Sequence, residues 1–267
     1  MPNISALPDH ASISSAWLAA ARYLKGQRGR HCFNLIYSVT QPGMITQPDL
    51  DLYRKYDSFA ATAEIGTTTT VANTIFPLDT YKTFGSPGLY NEYEASIFPA
   101  IRTQWGTYFD RMIRRRDHLG NFMLDKTGTP INPMASMIDK LSKRVSSGRG
   151  SKNHYELAIT DEGFELTTYL PERDCNYRLG GPCLSHLTFK IDDEGALRLT
   201  AIYRSHYYLE RALGNLLGLA RLQAFVAAEV GLNVGPLTCL AAHAYLEPSL
   251  PTAPGSNVGK FLDDCGV

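Results

Sequence analysis

The feature that most constrains this chain is an apolar stretch in its C-terminal third, running from about Leu209 to Val230. Leu209, Leu213, Leu216, Leu217, Ala220 and Ala224 recur there at helical spacing, and Gly231 stands where a helix C-cap belongs. A helix of roughly twenty residues that is apolar on nearly every side has to be buried. Gly214, Gly218 and several alanines let other elements approach it closely. The spacing therefore predicts a central core helix around which the rest of the chain is wrapped.

Enough chain is present to do so. The 267 residues are 44% hydrophobic and 19% charged, which supplies a sizeable core and excludes global disorder. Residues 1–267 read as a single domain, with no internal repeat and no low-complexity linker. Basic and acidic residues are equal in number at 26 each, so no whole-protein field steers nucleic acid or a membrane surface, and neither is expected as a partner. Five scattered cysteines without a C-x-x-C pair predict free thiols in a reducing compartment. The N-terminus lacks a basic region followed by an apolar run, and no stretch reads as a transmembrane segment, so a cytoplasmic protein is expected. No metal-ligand spacing, P-loop or dinucleotide glycine pattern occurs, and no metal is expected.

Upstream, residues 12–25 predict a helix capped by Ser12, with Trp17, Leu18, Ala21 and Leu24 on one stripe and Gly26 as the stop. A basic stretch with Arg28, Arg30 and His31 precedes a strand over 33–39, closed by Pro42 and Gly43. Residues 49–59 suit a short helix, and 67–76, rich in Thr and Val, suit a strand. Helical signals are mixed over 90–115, and 117–130 reads as an exposed loop. Arg111, Arg114, Arg115 and Arg116 suit a solvated face. An amphipathic helix is expected over 134–143, then a polar stretch over 146–153 that contains Arg149.

The chemistry gathers in a hairpin. Strands over 183–191 and 197–204 flank a turn at 192–195, so Ile191 should pair with Ala196 and Cys183 should stand opposite Arg204, give or take one residue. A thiol beside a guanidinium and the Ser205 hydroxyl is a candidate low-pKa nucleophile, because the cation favours the thiolate. Free cysteine is also among the most buried residue types, and geometry alone leaves a packed thiol open. Asn215, early in the apolar helix, either bonds to core backbone or presents its amide to a ligand. His186 suits a structural role. His206 suits either a surface position or a phosphate contact.

Taken in order, Gly181-Pro182-Cys183 opening a strand, Tyr203-Arg204-Ser205 ending the next, and Leu213-Gly214-Asn215 opening a long helix resemble the thymidylate synthase and pyrimidine nucleotide hydroxymethylase family. Gly231-Leu232-Asn233-Val234-Gly235 resembles the segment leaving that helix, and His243-Ala244-Tyr245 resembles a His-x-Tyr pair after a two-residue shift. Trp105-Gly106-Thr107-Tyr108 resembles a Gly-x-x-Tyr segment, and the likeness is good over 181–245, weak over 105–180 and absent earlier.

The resemblance implies a three-layer α/β fold whose large mixed sheet packs against its mate in a homodimer. It implies Cys183 as nucleophile, Tyr108 organising water for proton removal, Arg204 and Ser205 on the phosphate of a nucleoside monophosphate, and Asn215 on the base. His243 and Tyr245 would hold the ribose hydroxyl, and Arg149 would reach the other subunit's phosphate site. A reduced folate, methylenetetrahydrofolate, would be the one-carbon donor for methyl or hydroxymethyl transfer to C5. The chain also departs from the pattern. Leu184 stands where the family has His, Tyr207 where it has Asp, and Tyr203 where it has Gln. The folate-side helix and closing tail are not recognisable, which leaves open a nucleotide-binding or sensor protein on the same fold, or an enzyme for another nucleotide.

Overall fold

The computed structural model describes residues 4–101, 107–115, 121–149, 155–159, 183–246 and 258–267. The predicted central helix is present as α8 (Leu213–Val230), entered through a π-turn at Tyr208–Ala212 and closed by Gly231 in the left-handed conformation. By length and composition, the 23-residue stretch Tyr208–Val230 is apolar enough to cross a membrane, with a mean hydropathy of 1.2. This corrects the reading that no segment qualifies; 72% of that window is buried inside the fold, so its apolarity is accounted for by the core. Ala224 alone of the expected stripe is exposed.

Strands β1 (Ser5–Ala6), β2 (His31–Val39), β3 (Glu156–Ala158), β4 (Leu184–Ile191), β5 (Ala196–Tyr203), β6 (His206–Tyr207) and β7 (Asn233–Tyr245) form one mixed sheet. Their order is β1-β2-β7-β5-β4-β3, with β6 beside β7. The fold is thus mixed α/β with a large mixed sheet. β7 runs antiparallel to β2 and parallel to β5, so the strand leaving the central helix becomes the middle of the sheet. Gln223 anchors that exit, because its amide donates to the carbonyls of Leu197 (2.7 Å) and Gly235 (2.8 Å). One sheet face, with Leu35, Tyr37, Leu199, Ala201, Leu237 and Cys239, is buried in the core. The other carries a half-buried row in which Ile36, Leu240 and Ile202 stand side by side.

Helix α1 (Ile13–Lys25) begins as expected at Ser12, in a capping box with Ser15. Buried Asp49 accepts from the Ser12 hydroxyl (2.8 Å) and from the Thr46 backbone N–H (2.6 Å), tying the start of α1 to that of α2 (Gln47–Thr62). The strand expected over 67–76 is instead helix α3 (Thr68–Ile75). Local β-propensity lost there to capping and packing. The Thr67 hydroxyl accepts from the Thr70 N–H at 3.2 Å, and the Asp57 carboxylate accepts from the Thr68 N–H at 2.7 Å and its hydroxyl at 3.1 Å. Further helices are α4 (Leu78–Glu92), followed by a π-turn at Tyr93–Ile97, then α5 (Phe98–Ile101), α6 (Tyr108–Ile113), α7 (Pro133–Ser147) and α9 (Val258–Asp264). Arg114 is no solvated residue but a largely buried partner of Glu94 at 2.9 Å. Of the expected 117–130 loop, the described part turns on Asp125, whose carboxylate accepts from the N–H groups of Thr127 and Thr129. Trp105, Gly106, Arg116, Gly181 and Pro182, and the polar stretch from 150 to 153, lie outside the described residues.

α3 lies flat on α8 because two glycines let it. A Cβ at Gly214 would fall 2.5 Å from Val71 Cβ, and one at Gly218 would fall 2.7 Å from the Ala72 carbonyl oxygen. The Gly218 contact is with backbone, which cannot swing aside. Gly218→Ala should therefore destabilise the protein by about 1–3 kcal/mol despite the better helix propensity of alanine. Urea unfolding reads this as a lower midpoint; an unchanged or higher midpoint would show that α3 does not pack this closely.

Candidate functional site

The hairpin reaches its expected end by a different route. Ile191 pairs with Leu197 rather than Ala196, because the turn is one residue longer than the sequence suggested. A bulge between Leu184 and His186 takes that residue back, and Leu184 then faces Tyr203. The Arg204 N–H donates to the Cys183 carbonyl at 2.9 Å. His186 points elsewhere, towards Glu156 at 3.4 Å.

A cavity of about 240 Å³ opens beside Cys183, and Tyr108, Ser205, His206, Tyr207, Glu210, Arg211 and Asn215 also line it. Larger hollows lie elsewhere, one of about 550 Å³ beyond α7 and one of about 500 Å³ between α2, α3 and α8. Neither is lined by a cysteine. Tyr108 enters from α6, capped by Thr107, and burial pushes its hydroxyl up to about 12, partly offset by the Leu184 and Cys183 backbone amides beside it. Asn215 enters from the head of α8. It is 2% exposed, its Nδ2 lies 3.2 Å from His206 Nε2, and its buried Oδ1 has no partner among the described residues. Such an acceptor costs about 1–3 kcal/mol if nothing satisfies it, which is what a ligand-reading amide would leave in the free protein.

Burial also pushes the Cys183 thiol up, and the charges of Arg204 and Arg211 only partly oppose it. The expectation of a low-pKa thiol beside Arg204 is corrected: desolvation outweighs both guanidinium groups. Arg204 itself is exposed and lies outside the cavity lining. His206 is neither at the surface nor placed for phosphate. It is 1% exposed, stacked flat on Tyr203 at 3.9 Å, and burial lowers its pKa to about 3.

His243 and Tyr245 sit on β7 outside the cavity, in a hydrogen-bonded row. Tyr245 Oη is 2.6 Å from His243 Nδ1, whose Nε2 is 2.9 Å from His31 Nδ1. Tyr245 meets the cavity wall through the Tyr207 ring, at 5.6 Å between centroids. Arg149 is exposed just beyond α7. The cavity thus gathers Cys183, Tyr108, Ser205 and Asn215, and leaves Arg204, His243, Tyr245 and Arg149 around it. Sequence reasoning missed Glu210 and Arg211. The signal was available, since they are the only charges in the first turns of an otherwise apolar stretch. Among the described residues no cluster of three His, Cys, Asp or Glu side chains is placed to hold a metal.

Fold and cavity together define a mixed α/β protein in which a half-buried thiol shares a cavity with an unsatisfied amide at the head of the core helix. No protein-family profile matches the chain. Curated relatives do. A protein of Methanopyrus kandleri named "Putative thymidylate synthase" is 38% identical over 118 residues, 44% of this chain and 51% of its own length. Proteins of the same name from Methanothermobacter thermautotrophicus and Methanosarcina acetivorans are 46% and 39% identical over 66 residues, 24% of this chain and 29% and 30% of theirs. The match therefore spans about half of the first relative and under a third of the other two. Over the segments they cover, these matches support a divergent relationship to the thymidylate synthase family.

The thiol chemistry is measurable. Alkylation of Cys183 should be slow at neutral pH and climb as pH rises towards its elevated value. Arg211→Gln removes a cation that favours the thiolate, so it should lower the labelling rate at pH 8 by at least about twofold. Mass spectrometry with a limiting reagent reads both. Faster labelling in Arg211→Gln would mean that Arg211 shields the thiol rather than charging it.

Proposed function

We propose that this chain acts on a pyrimidine nucleoside monophosphate through Cys183, as a nucleotide C5 methyl- or hydroxymethyltransferase. The observation that carries this reading is the meeting of Cys183, Tyr108, Ser205 and Asn215 in the lining of one cavity, with the Asn215 amide oxygen buried and unpartnered among the described residues. The thiolate would add to C6 of the pyrimidine, breaking the C5–C6 π bond and leaving the electron pair at C5 in conjugation with the C4 carbonyl. C5 could then take a proton or a one-carbon electrophile, after which loss of the C5 proton and expulsion of the thiolate restore the ring. Tyr108 would take the proton, a role supported by its hydroxyl lying against the backbone amides of Cys183 and Leu184. Arg204 and Ser205 would hold the phosphate, Asn215 the base edge, and the His243–Tyr245 pair the sugar.

In this reading the one-carbon donor is a reduced folate, methylenetetrahydrofolate. At about 240 Å³ the cavity lies below the usual range for a drug-sized ligand. The described residues suit the nucleotide's ring and sugar, not a folate beside them, and no step is derived through the folate. The reading also includes a single domain, a cytoplasmic homodimer and no metal. The half-buried Ile36–Leu240–Ile202 row supports the dimer, being a sheet face that a second copy would cover. Arg149 would then reach the other copy's phosphate. The elevated Cys183 thiol favours one rival, a binding or sensor protein that keeps the pocket without transfer.

Three measurements separate these readings. Arg204→Ala should weaken nucleoside monophosphate binding by about 1.5–3 kcal/mol and leave the nucleoside nearly unaffected; equal losses for both ligands would remove Arg204 from the phosphate. Tritium release from C5 of a labelled nucleotide should occur in the wild type and vanish in Cys183→Ser, whereas tight binding without release points to the sensor. Sedimentation at micromolar concentration should show a dimer, and a lone 29.5 kDa species would count against it.

A further inference from the structure

The cavity between α2, α3 and α8 shares no lining residue with the one at Cys183. Helix α3 is the partition: Val71 and Thr74 line the Cys183 side, and Thr68 and Thr69 line this one. At about 500 Å³ the second cavity falls within the range of about 300–1,000 Å³ that small-molecule sites occupy. Most of its lining is apolar. Phe76, Tyr81 and Phe225 form one wall, packed ring against ring with centroids 4.9 to 5.7 Å apart. Ile45 and Leu50 also line it, yet they remain 55% and 38% exposed. Large apolar side chains left open to water beside a concave aromatic wall are what a ligand gains from covering.

One charge is left over in that lining. Arg221 is its only cation, half-buried on α8, and burial lowers its pKa because a partly dried guanidinium loses the water that solvates it. Its Nη1 donates to Asn73 Oδ1 at 3.2 Å. A guanidinium has five N–H donors, and among the described residues no carboxylate stands at ion-pair distance from this one. Asp79 favours the charge only from an exposed position outside the lining. Asp57, the one carboxylate in the lining, is engaged with the Thr68 N–H and hydroxyl. Thr68 packs beside Gly214, two turns and so about 10 Å along α8 from Arg221. We propose that this cavity is a second binding site, for a small organic acid whose flat apolar body lies on the aromatic wall and whose carboxylate reaches Arg221. The planar fork of a guanidinium suits a carboxylate bidentately, and its partial burial strengthens the pair beyond a surface contact. The assignment does not depend on the nucleotide reading.

A matched pair of probes tests this. 2-Naphthylacetate and 2-naphthylacetamide share a flat apolar body and differ in charge. In calorimetric titration the acid should bind the wild type at least about fivefold tighter than the amide. In Arg221→Gln that ratio should fall to within about twofold while the affinity for the amide barely changes. Ala224→Trp, at an exposed position in the lining, should fill the cavity and abolish binding of both probes. Cys183→Ser should leave both affinities as they are. Equal affinity for acid and amide in the wild type would overturn the proposal, as would a ratio that survives Arg221→Gln. Binding lost in Cys183→Ser but kept in Ala224→Trp would put the acid in the other cavity and sink the assignment. So would binding of neither probe at millimolar concentration. If Arg221→Gln does not fold, the wild-type ratio and Ala224→Trp still decide the matter.

Discussion

The close approach of α3 to α8 is the constraint on which the rest of the site depends. Missing side chains at Gly214 and Gly218 bring the Val71 side chain and the Ala72 carbonyl to within the space a Cβ would occupy. Asp57 holds the start of α3 against that groove by accepting from Thr68. The same contact closes the cavity wall, since Val71 and Thr74 line it opposite Cys183. Glycine in a helix costs about 1 kcal/mol relative to alanine. Two of them in a buried helix are accepted because they let a second helix seat directly on the head of the first.

That head is braced from the other side as well. Two carbonyls of the π-turn at Tyr208–Ala212 accept from buried side chains: Trp17 Nε1–H donates to the Tyr208 carbonyl at 3.0 Å and the Tyr56 hydroxyl to that of Leu209 at 2.6 Å. Bracing of this kind sets Glu210 and Arg211 in the cavity lining. Burial at the site is what raises the Cys183 thiol. Shape and reactivity thus oppose each other here. A pocket enclosed enough to grip a base suppresses the thiolate it offers, and the guanidinium groups at its edge return only part of what burial removes.

Much of this was legible in the sequence. The core helix, the hairpin, the Ser12 cap and the order of Cys183, Arg204, Ser205 and Asn215 follow from local spacing, and local spacing is what a single chain records best. Three features depended on distant partners and were not legible. The Thr67–Phe76 run has strand propensity and becomes helical because Asp57 and the α8 glycines lie across the fold from it. The central strand β7 passed unread because its place in the sheet is set by distant partners, among them Gln223, which anchors its start through the Gly235 and Pro236 carbonyls. The state of the thiol failed for a related reason. Pairing Cys183 with Arg204 identifies a neighbour, whereas desolvation is a property of everything that surrounds the pair.

The bulge between Leu184 and His186 gives the hairpin two registers, one fixed by the turn and one by the strand end that carries Cys183. Between them lies a single unpaired residue, Ser185, able to absorb a difference in length. The turn at the far end can therefore drift in size over evolutionary time without dragging the cysteine out of line with Arg204. Surface and site become separately heritable. A lineage can remodel the outer end of its hairpin while the inner end keeps the same chemistry, or alter the inner end while its exterior stays recognisable to its relatives.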